Sequence, residues 1–318
     1  MEKPYVIGMD MGGTNTVFGV VDARGNVISK SAIKTGTHTD VNVYIQDLYD
    51  ELIKLIDAAG GADKFKGIGV GAPNGNYYTG NIEFAPNLPW KGVIEFAKLM
   101  TNKFGIPTAL TNDANAAAFG EMTYGAAHGM KNFIMITLGT GVGSGIIIDG
   151  KVLYGHDGFA GELGHTTAIR NNGRLCGCGK SGCLETYCSA TGVARSAREI
   201  LESSTKDSLL RNIPLESITS KDVFDAAMEG DEVAKEIFNF TGKILGESLA
   251  DFVAFSAPEA IVIFGGLSKA GDLIMNPIRE NMEKNLLPLW KGKIKLMFSD
   301  LKEADAAVLG ASALAWEL

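Results

Sequence analysis

Short apolar runs closed by glycine dominate the first third of the chain. YVIGMD, from Tyr5 to Asp10, reads as a buried strand, GGTNT as a polar turn and TVFGVVD as a second strand. ARGN then turns the chain into a third strand, VISKSAIKT. The period changes in DVNVYIQDLYDELIKLIDAAGG, where Tyr44, Leu48, Leu52, Leu55 and Ile56 recur at helical spacing. Asp40 supplies an N-cap for that helix and Gly60 a stop. KGIGVGAP and IPTALT are short apolar runs bounded by Gly or Pro and predict strands. An alanine-rich helix, NDANAAAFGEMTYGAAHG, follows them.

The opening pattern then recurs. NFIMITLGTGVGSGIIIDGKVLYG predicts strand, glycine-rich turn, strand, Asp-Gly hairpin and strand. Its turn glycines fall about 130 residues after those of the first turn, a spacing that fits a duplicated domain and not a solenoid. The rest predicts a helix in TGVARSAREILESS, a long amphipathic helix in DEVAKEIFNFTGKILGESLADFVAF, and the strand AIVIF running into GGLS. The expected division is a small α/β lobe over residues 1–120 and a large α/β lobe over 121–303. The C-terminal helix, 304–318, is expected to pack back on the first lobe, and a ligand cleft is expected between the two.

Composition narrows the class. The 318 residues are 46% hydrophobic and 21% charged, as in an ordinary globular protein. A net charge of −8 argues against a nucleic-acid partner, which normally demands a basic face. MEKPYVIGMDMGG lacks the basic start and apolar stretch of a signal peptide. The most apolar long window, LADFVAFSAPEAIVIFGGL, is interrupted by Asp251, Pro258 and Glu259, so no membrane span is expected. The expected location is the cytoplasm, where clustered cysteines are more often ligands than disulfides.

Four stretches carry candidate chemistry. In DMGGTNT, Gly12 and Gly13 let backbone N–H groups point at a phosphate, and Thr14, Asn15 and Thr16 add further donors. Asp10 at the strand end could orient Mg2+ or its waters. TLGTGVGSG repeats the arrangement without an acid, through Gly139, Thr140 and Gly141; neither loop has the Walker pattern. After AIVIF, Gly265 and Gly266 would let a flat ring approach the backbone, although a plain strand-to-helix turn explains them equally well. In LTNDANAAAFGE, Asn112 and Asp113 stand where a strand meets a helix, and an Asp there commonly serves only as a cap. Phosphoryl transfer to an alcohol needs a carboxylate within reach of the attacking hydroxyl, and Asp113 is the best-placed candidate.

All four cysteines fall between Gly164 and Cys188. Cys176, Cys178 and Cys183 lie within GCGKSGC and its flanks, whose glycines let three thiolates converge, and His165 stands close upstream. A Cys176–Cys178 disulfide would be strained and C-x-x-C redox spacing is absent, so a zinc site of one histidine and three cysteines is favoured. Cys188 reads as a small buried side chain.

GMDMGGTNT, LTNDANAAAFGE, ITLGTGVGSGIIIDGKVLYGHDGFAGELGH and CGCGKSGCLE, in this order, resemble the ROK family of repressors and sugar kinases over essentially the whole chain. The resemblance implies a duplicated RNase H-like α/β fold of the actin and hexokinase group, with two lobes closing on a sugar and ATP. It implies that Asp10 to Thr16 and Thr137 to Gly143 are phosphate loops and that Gly265, Gly266 and Leu267 sit near the adenosine. Asp113 matches a general base acting on a sugar 6-hydroxyl. Asn112, Glu162, His165 and Glu185 match sugar contacts, with Asn87 in the region that reads the sugar. His165, Cys176, Cys178 and Cys183 match the ligands of a structural Zn2+. Where the family often has Gly after GVGAP, this chain has Asn74, which opens the question of substrate choice. So few residues precede YVIGMDMGG that no helix-turn-helix is expected, and no DNA binding with it. The expected activity is a Mg2+- and ATP-dependent glucokinase; other hexoses, N-acetylated amino sugars and a non-catalytic sugar sensor are the alternatives. A homodimer is the family's habit.

Overall fold

The computed structural model describes residues 3–318, apart from the side chains of 303 and 304. The chain divides into two compact units. Residues up to 131, 145–161 and 299–318 form the first, and 132–144 with 162–298 form the second.

The first unit is built on β1 (Tyr5–Met11), β2 (Asn15–Asp22), β3 (Val27–Lys34), α1 (Val41–Ala58), β4 (Phe65–Gly71), the short strands β5 (Gly75–Asn76), β6 (Asn81–Glu83) and β7 (Val93–Ile94), α2 (Phe96–Phe104), β8 (Thr108–Thr111) and α3 (Asp113–Tyr124). Its sheet runs β3-β2-β1-β4-β8. The first three strands form an antiparallel meander, and β1, β4 and β8 are parallel. β1 is buried nearly throughout because it is central, whereas β3 alternates at the edge. Asp40 caps α1 by accepting the Asn42 N–H, and the helix lays Tyr44, Leu48, Leu52 and Ile56 into a core with Phe18, Phe65, Trp90 and Phe96. β5, β6 and β7 make a separate three-stranded sheet.

The second unit carries β9 (Phe133–Leu138) and the start of β10 (Val142–Ile148), which ends in the first unit beside β11 (Lys151–Val152). Next come α4 (Glu185–Cys188), α5 (Ala190–Ser203), α6 (Ser220–Met228), α7 (Glu232–Ser256), β12 (Ala260–Phe264), α8 (Asp272–Asn285) and β13 (Lys295–Phe298). The second sheet runs β11-β10-β9-β12-β13, with β9, β12 and β13 parallel. Both sheets therefore consist of three strands in reverse order followed by two parallel ones, which is the RNase H-like α/β arrangement present twice.

The last helix, α9 (Glu303–Ala315), belongs to the first unit and lies on β1, β4 and α3. Its close approach depends on glycine: a Cβ at Gly8 would stand 2.0 Å from the Val308 carbonyl oxygen, and one at Gly69 would stand 1.9 Å from that of Ala311. Residues 121–131, 145–161 and 299–303, assigned to the large lobe from sequence, belong to the first unit. The physical reason is that α3 continues unbroken to Tyr124, and Gly145 packs on it so tightly that a Cβ would be 2.6 Å from that of Ala118. No helix among the described residues is long and apolar enough to cross a membrane.

Candidate functional site

In the first unit the turn between β1 and β2 is closed by the Gly12 N–H donating to the Asn15 carbonyl at 2.9 Å. Thr14 and Asn15 are exposed at its tip. Gly13 packs so tightly on Asn87 that a Cβ would be 2.4 Å from the Asn87 carbonyl oxygen, which brings exposed Asn87 beside the turn. Thr16 corrects the sequence reading. Its side chain is fully buried, with its hydroxyl 2.8 Å from that of Thr35 and 2.7 Å from that of Tyr44. It braces the turn from below and cannot offer its hydroxyl to a phosphate.

Asp10 at the end of β1 and Asp113 at the start of α3 flank Gly71 at the end of β4. A Cβ on Gly71 would lie 3.9 Å from Asp10 Oδ1 and 3.5 Å from the Asp113 Cα. Burial, then the charge of Asp113, pushes Asp10 up to about 6. Asp113 is likewise raised by burial, against the opposing effect of the Ala114 N–H it accepts at 2.8 Å. The residue nevertheless keeps an exposed face. Asn112 is the N-cap of α3, its side-chain oxygen accepting the same Ala114 N–H at 2.8 Å. An accessible carboxylate of raised basicity is suited to accept a hydroxyl proton, and a second carboxylate beside it is suited to a divalent cation. Asn74 adopts φ 51°, the left-handed conformation that explains a glycine preference there, and its amide donates to the Glu83 carbonyl at 3.0 Å.

In the second unit the turn between β9 and β10 is closed by the Gly139 N–H donating to the Gly141 carbonyl at 3.0 Å, with Thr140 exposed at the tip. The Val142 N–H donates to Glu185 Oε2 at 2.9 Å. Glu185, read from sequence as a sugar contact, thus has one oxygen committed to this turn. Gly265 follows β12 at φ 101° and abuts β9, where a Cβ would be 2.5 Å from the Leu138 carbonyl oxygen. Gly266 is exposed, and the Leu267 side chain is buried in the core, so only the Leu267 backbone could meet a ligand.

His165, Cys176, Cys178 and Cys183 bring one ligand atom each to within 4.8 Å of the others. The Cys176 Sγ lies 3.8 Å from His165 Nδ1, and the sulfurs of Cys178 and Cys183 are 3.6 Å apart. Zn–S bonds of about 2.3 Å in a tetrahedron give sulfur–sulfur edges of about 3.8 Å, so the four groups fit a zinc ion. The hairpin that presents them is closed by the Cys176 N–H donating to the Lys180 carbonyl at 2.8 Å, and Lys180 Nζ donates to the His165 carbonyl at 2.8 Å. Burial and the neighbouring Cys178 and Cys176 thiols push Cys183 up to about 12, whereas the Lys180 N–H holds Cys178 below its usual range. All four cysteines are free thiols, and Cys188 is fully buried apart from the cluster. Glu162 is exposed, and its carbonyl accepts the His165 N–H at 3.1 Å.

The sequence reading missed two supports. Buried Arg174 donates to the Thr186 carbonyl at 2.6 Å and to Ser196 Oγ at 2.9 Å, pairs with Glu199, and lies 4.4 Å from the Tyr187 ring centroid. It locks the base of the cysteine hairpin to α4 and α5. Thr191 bonds the Thr140 carbonyl at 2.9 Å. Neither residue belongs to a motif, and nothing in the local pattern distinguishes Arg174 from the neighbouring Arg170.

Known proteins resemble this chain along nearly its whole length. The ROK family model matches residues 6–317. A glucokinase of Halalkalibacterium halodurans is 38% identical over 316 residues, 98% of this chain and 94% of that protein. A xylose repressor of Caldicellulosiruptor bescii is 30% identical across 97% of this chain and 77% of its own length. The crystal structure of a ROK family glucokinase from Streptomyces griseus, in complex with glucose and AMPPNP, covers 99% of this chain and 100% of that one at TM-score 0.80 and 32% identity. With the family model matched over residues 6–317 and relatives of this identity covering nearly the whole chain, the chain belongs to the ROK family.

Proposed function

We propose that the protein is an ATP-dependent hexose kinase that phosphorylates the 6-hydroxyl of glucose. The observation that carries this reading is Asp113, an accessible carboxylate of raised basicity beside Asp10 and the Gly12–Asn15 turn. Asp113 takes the proton of the 6-hydroxyl as that oxygen bonds to the γ-phosphorus, the bond from phosphorus to the β-phosphate oxygen breaks, and ADP leaves. The backbone N–H groups of the two glycine turns, Gly12–Asn15 and Gly139–Gly143, hold the phosphates, while Gly265 and Gly266 leave room for the base. Asp10 would hold Mg2+ through its carboxylate or the ion's waters, and that ion would neutralise phosphate charge. Asn87, Asn112, Glu162, His165 and Glu185 bind the sugar hydroxyls. His165 turns Nδ1 toward Cys176, which leaves Nε2 for the sugar, and the zinc held by His165, Cys176, Cys178 and Cys183 would lock that orientation.

The test is coupled ADP production over glucose, mannose, fructose, allose, N-acetylglucosamine and N-acetylmannosamine, with glucose expected to lead. Asp113→Asn should lower the rate by about 10²- to 10⁴-fold while glucose binding survives. The repressor relative motivates a second reading, a sugar sensor without catalysis. Sugar binding without ADP release for any of the six sugars would establish that reading and overturn the kinase.

A further inference from the structure

The cysteine hairpin is tied at both ends to the glycine turn Gly139–Gly143, and all of these residues belong to the second unit. Upstream of the hairpin, Gly164 lies so close to Val142 that a Cβ would be 2.0 Å from the Val142 carbonyl oxygen, and the Leu163 N–H donates to Ser144 Oγ at 3.1 Å. Downstream, Glu185 Oε2 accepts the Val142 N–H, and Glu185 Oε1 lies 3.8 Å from the Cys176 sulfur. The Ala190 N–H donates to the Gly139 carbonyl at 2.8 Å, and the Thr191 hydroxyl donates to the Thr140 carbonyl at 2.9 Å.

A glycine turn has few side chains to stiffen it, so its shape depends on these backbone bonds. In a trans peptide the carbonyl of one residue and the N–H of the next point in opposite directions. Tying the Gly139 and Thr140 carbonyls back to the start of α5 therefore turns the N–H groups of Thr140 and Gly141 away from α5. We propose that Thr191, with the Ala190 N–H, is a positioning residue that aims these two N–H groups at the nucleotide phosphates. By fixing the same segment, the cluster of His165 with the three cysteines sets nucleotide affinity as well as sugar affinity. The proposal rests on the kinase reading and adds to it a coupling between the metal hairpin and the phosphate turn.

Thr191 is exposed, so Thr191→Val is compatible with folding. In the metal-loaded protein, calorimetric titration with AMPPNP should show about three- to tenfold weaker binding in this variant, the scale of one lost hydrogen bond. The KM for ATP should rise by a similar factor while the glucose Kd stays unchanged. Thr191→Ser, which keeps the hydroxyl, should restore the wild-type values. Removing the metal with a chelator, with folding checked by circular dichroism and metal loss by elemental analysis, should weaken both AMPPNP and glucose. The loss in AMPPNP binding should be smaller in Thr191→Val than in wild type, because both changes release the same turn. AMPPNP binding unchanged in Thr191→Val, or lost equally in Thr191→Ser, overturns the proposal, as does stripped, folded protein that loses only glucose. Should chelation unfold the chain, the Val and Ser variants decide the matter alone. Wild-type protein that neither binds AMPPNP nor releases ADP defeats the kinase reading itself.

Discussion

Replacing Asp10 by Asn should make the folded chain more stable while removing the carboxylate proposed to hold Mg2+. Burial, then the charge of Asp113, raises Asp10 from 3.8 to about 6. Its ionised form is therefore less favourable in the native chain than in the unfolded one. One pKa unit is worth about 1.4 kcal/mol, so a rise of about two units sets a ceiling of about 3 kcal/mol. Asp10 is partly exposed, and solvent screening lowers this to about 1–2 kcal/mol. The sign follows from proton binding. Below the unfolded value of 3.8 the group is protonated in both states and contributes no difference. Between 3.8 and about 6 the native chain keeps a proton that the unfolded chain has released, so this group's contribution to stability falls as pH rises. Above about 6 the full penalty applies. Asn carries no such charge and so escapes the penalty. Urea unfolding without Mg2+ or nucleotide, followed by tryptophan fluorescence, can report on the first unit through Trp90 and Trp316. The variant should gain about 1–2 kcal/mol over wild type at pH 8, with the gain shrinking toward zero near pH 4. A variant no more stable than wild type at pH 8, or a gain that grows as pH falls, would refute the reasoning.

Two further perturbations test the packing that holds the site. Gly69→Ala places a Cβ where only 1.9 Å separates it from the Ala311 carbonyl oxygen, so α9 must shift, and unfolding should show a loss of about 1–3 kcal/mol. A loss below about 0.5 kcal/mol, the size of an ordinary surface change, would mean that α9 is not seated on β4 as described. Arg174→Met keeps an apolar stem over Tyr187 but removes the guanidinium donors to the Thr186 carbonyl and to Ser196 Oγ and breaks the ion pair with Glu199. It should destabilise the protein by about 2–4 kcal/mol and raise the KM for glucose; denaturation and initial rates measure the two effects, and unchanged values in both would remove Arg174 from the support of the hairpin.

Much of the local structure was legible because its causes are local. The apolar period of Tyr44, Leu48, Leu52 and Ile56, with Asp40 before it, marks α1 without reference to any neighbour. The closeness of Cys176, Cys178 and Cys183 in the chain made their meeting with His165 a short-range event. The strands β5, β6 and β7 are two or three residues long, too short to show a period, and α8 carries Pro277 in its interior. None of these stood out in the apolar pattern.

The misreading of Thr16 concerns side-chain direction. Thr16 belongs to a polar turn motif, yet alternation along β2 sends it inward to Thr35 and Tyr44, which are remote in the chain. Glu185, expected from sequence to meet a sugar, also has a tertiary partner that no local pattern shows: one of its oxygens accepts the Val142 N–H, 43 residues away. By itself the sequence determined the glycine turns, the helix caps, the carboxylates and the ligand set, since each follows from residue type and short-range spacing. Tertiary structure alone decided that α9 closes on Gly8 and Gly69, that burial and then Asp113 raise Asp10, and that the cysteine hairpin is tied to the Gly139–Gly143 turn. Those outcomes depend on distances between residues far apart in the chain, which burial and packing set and no local pattern encodes.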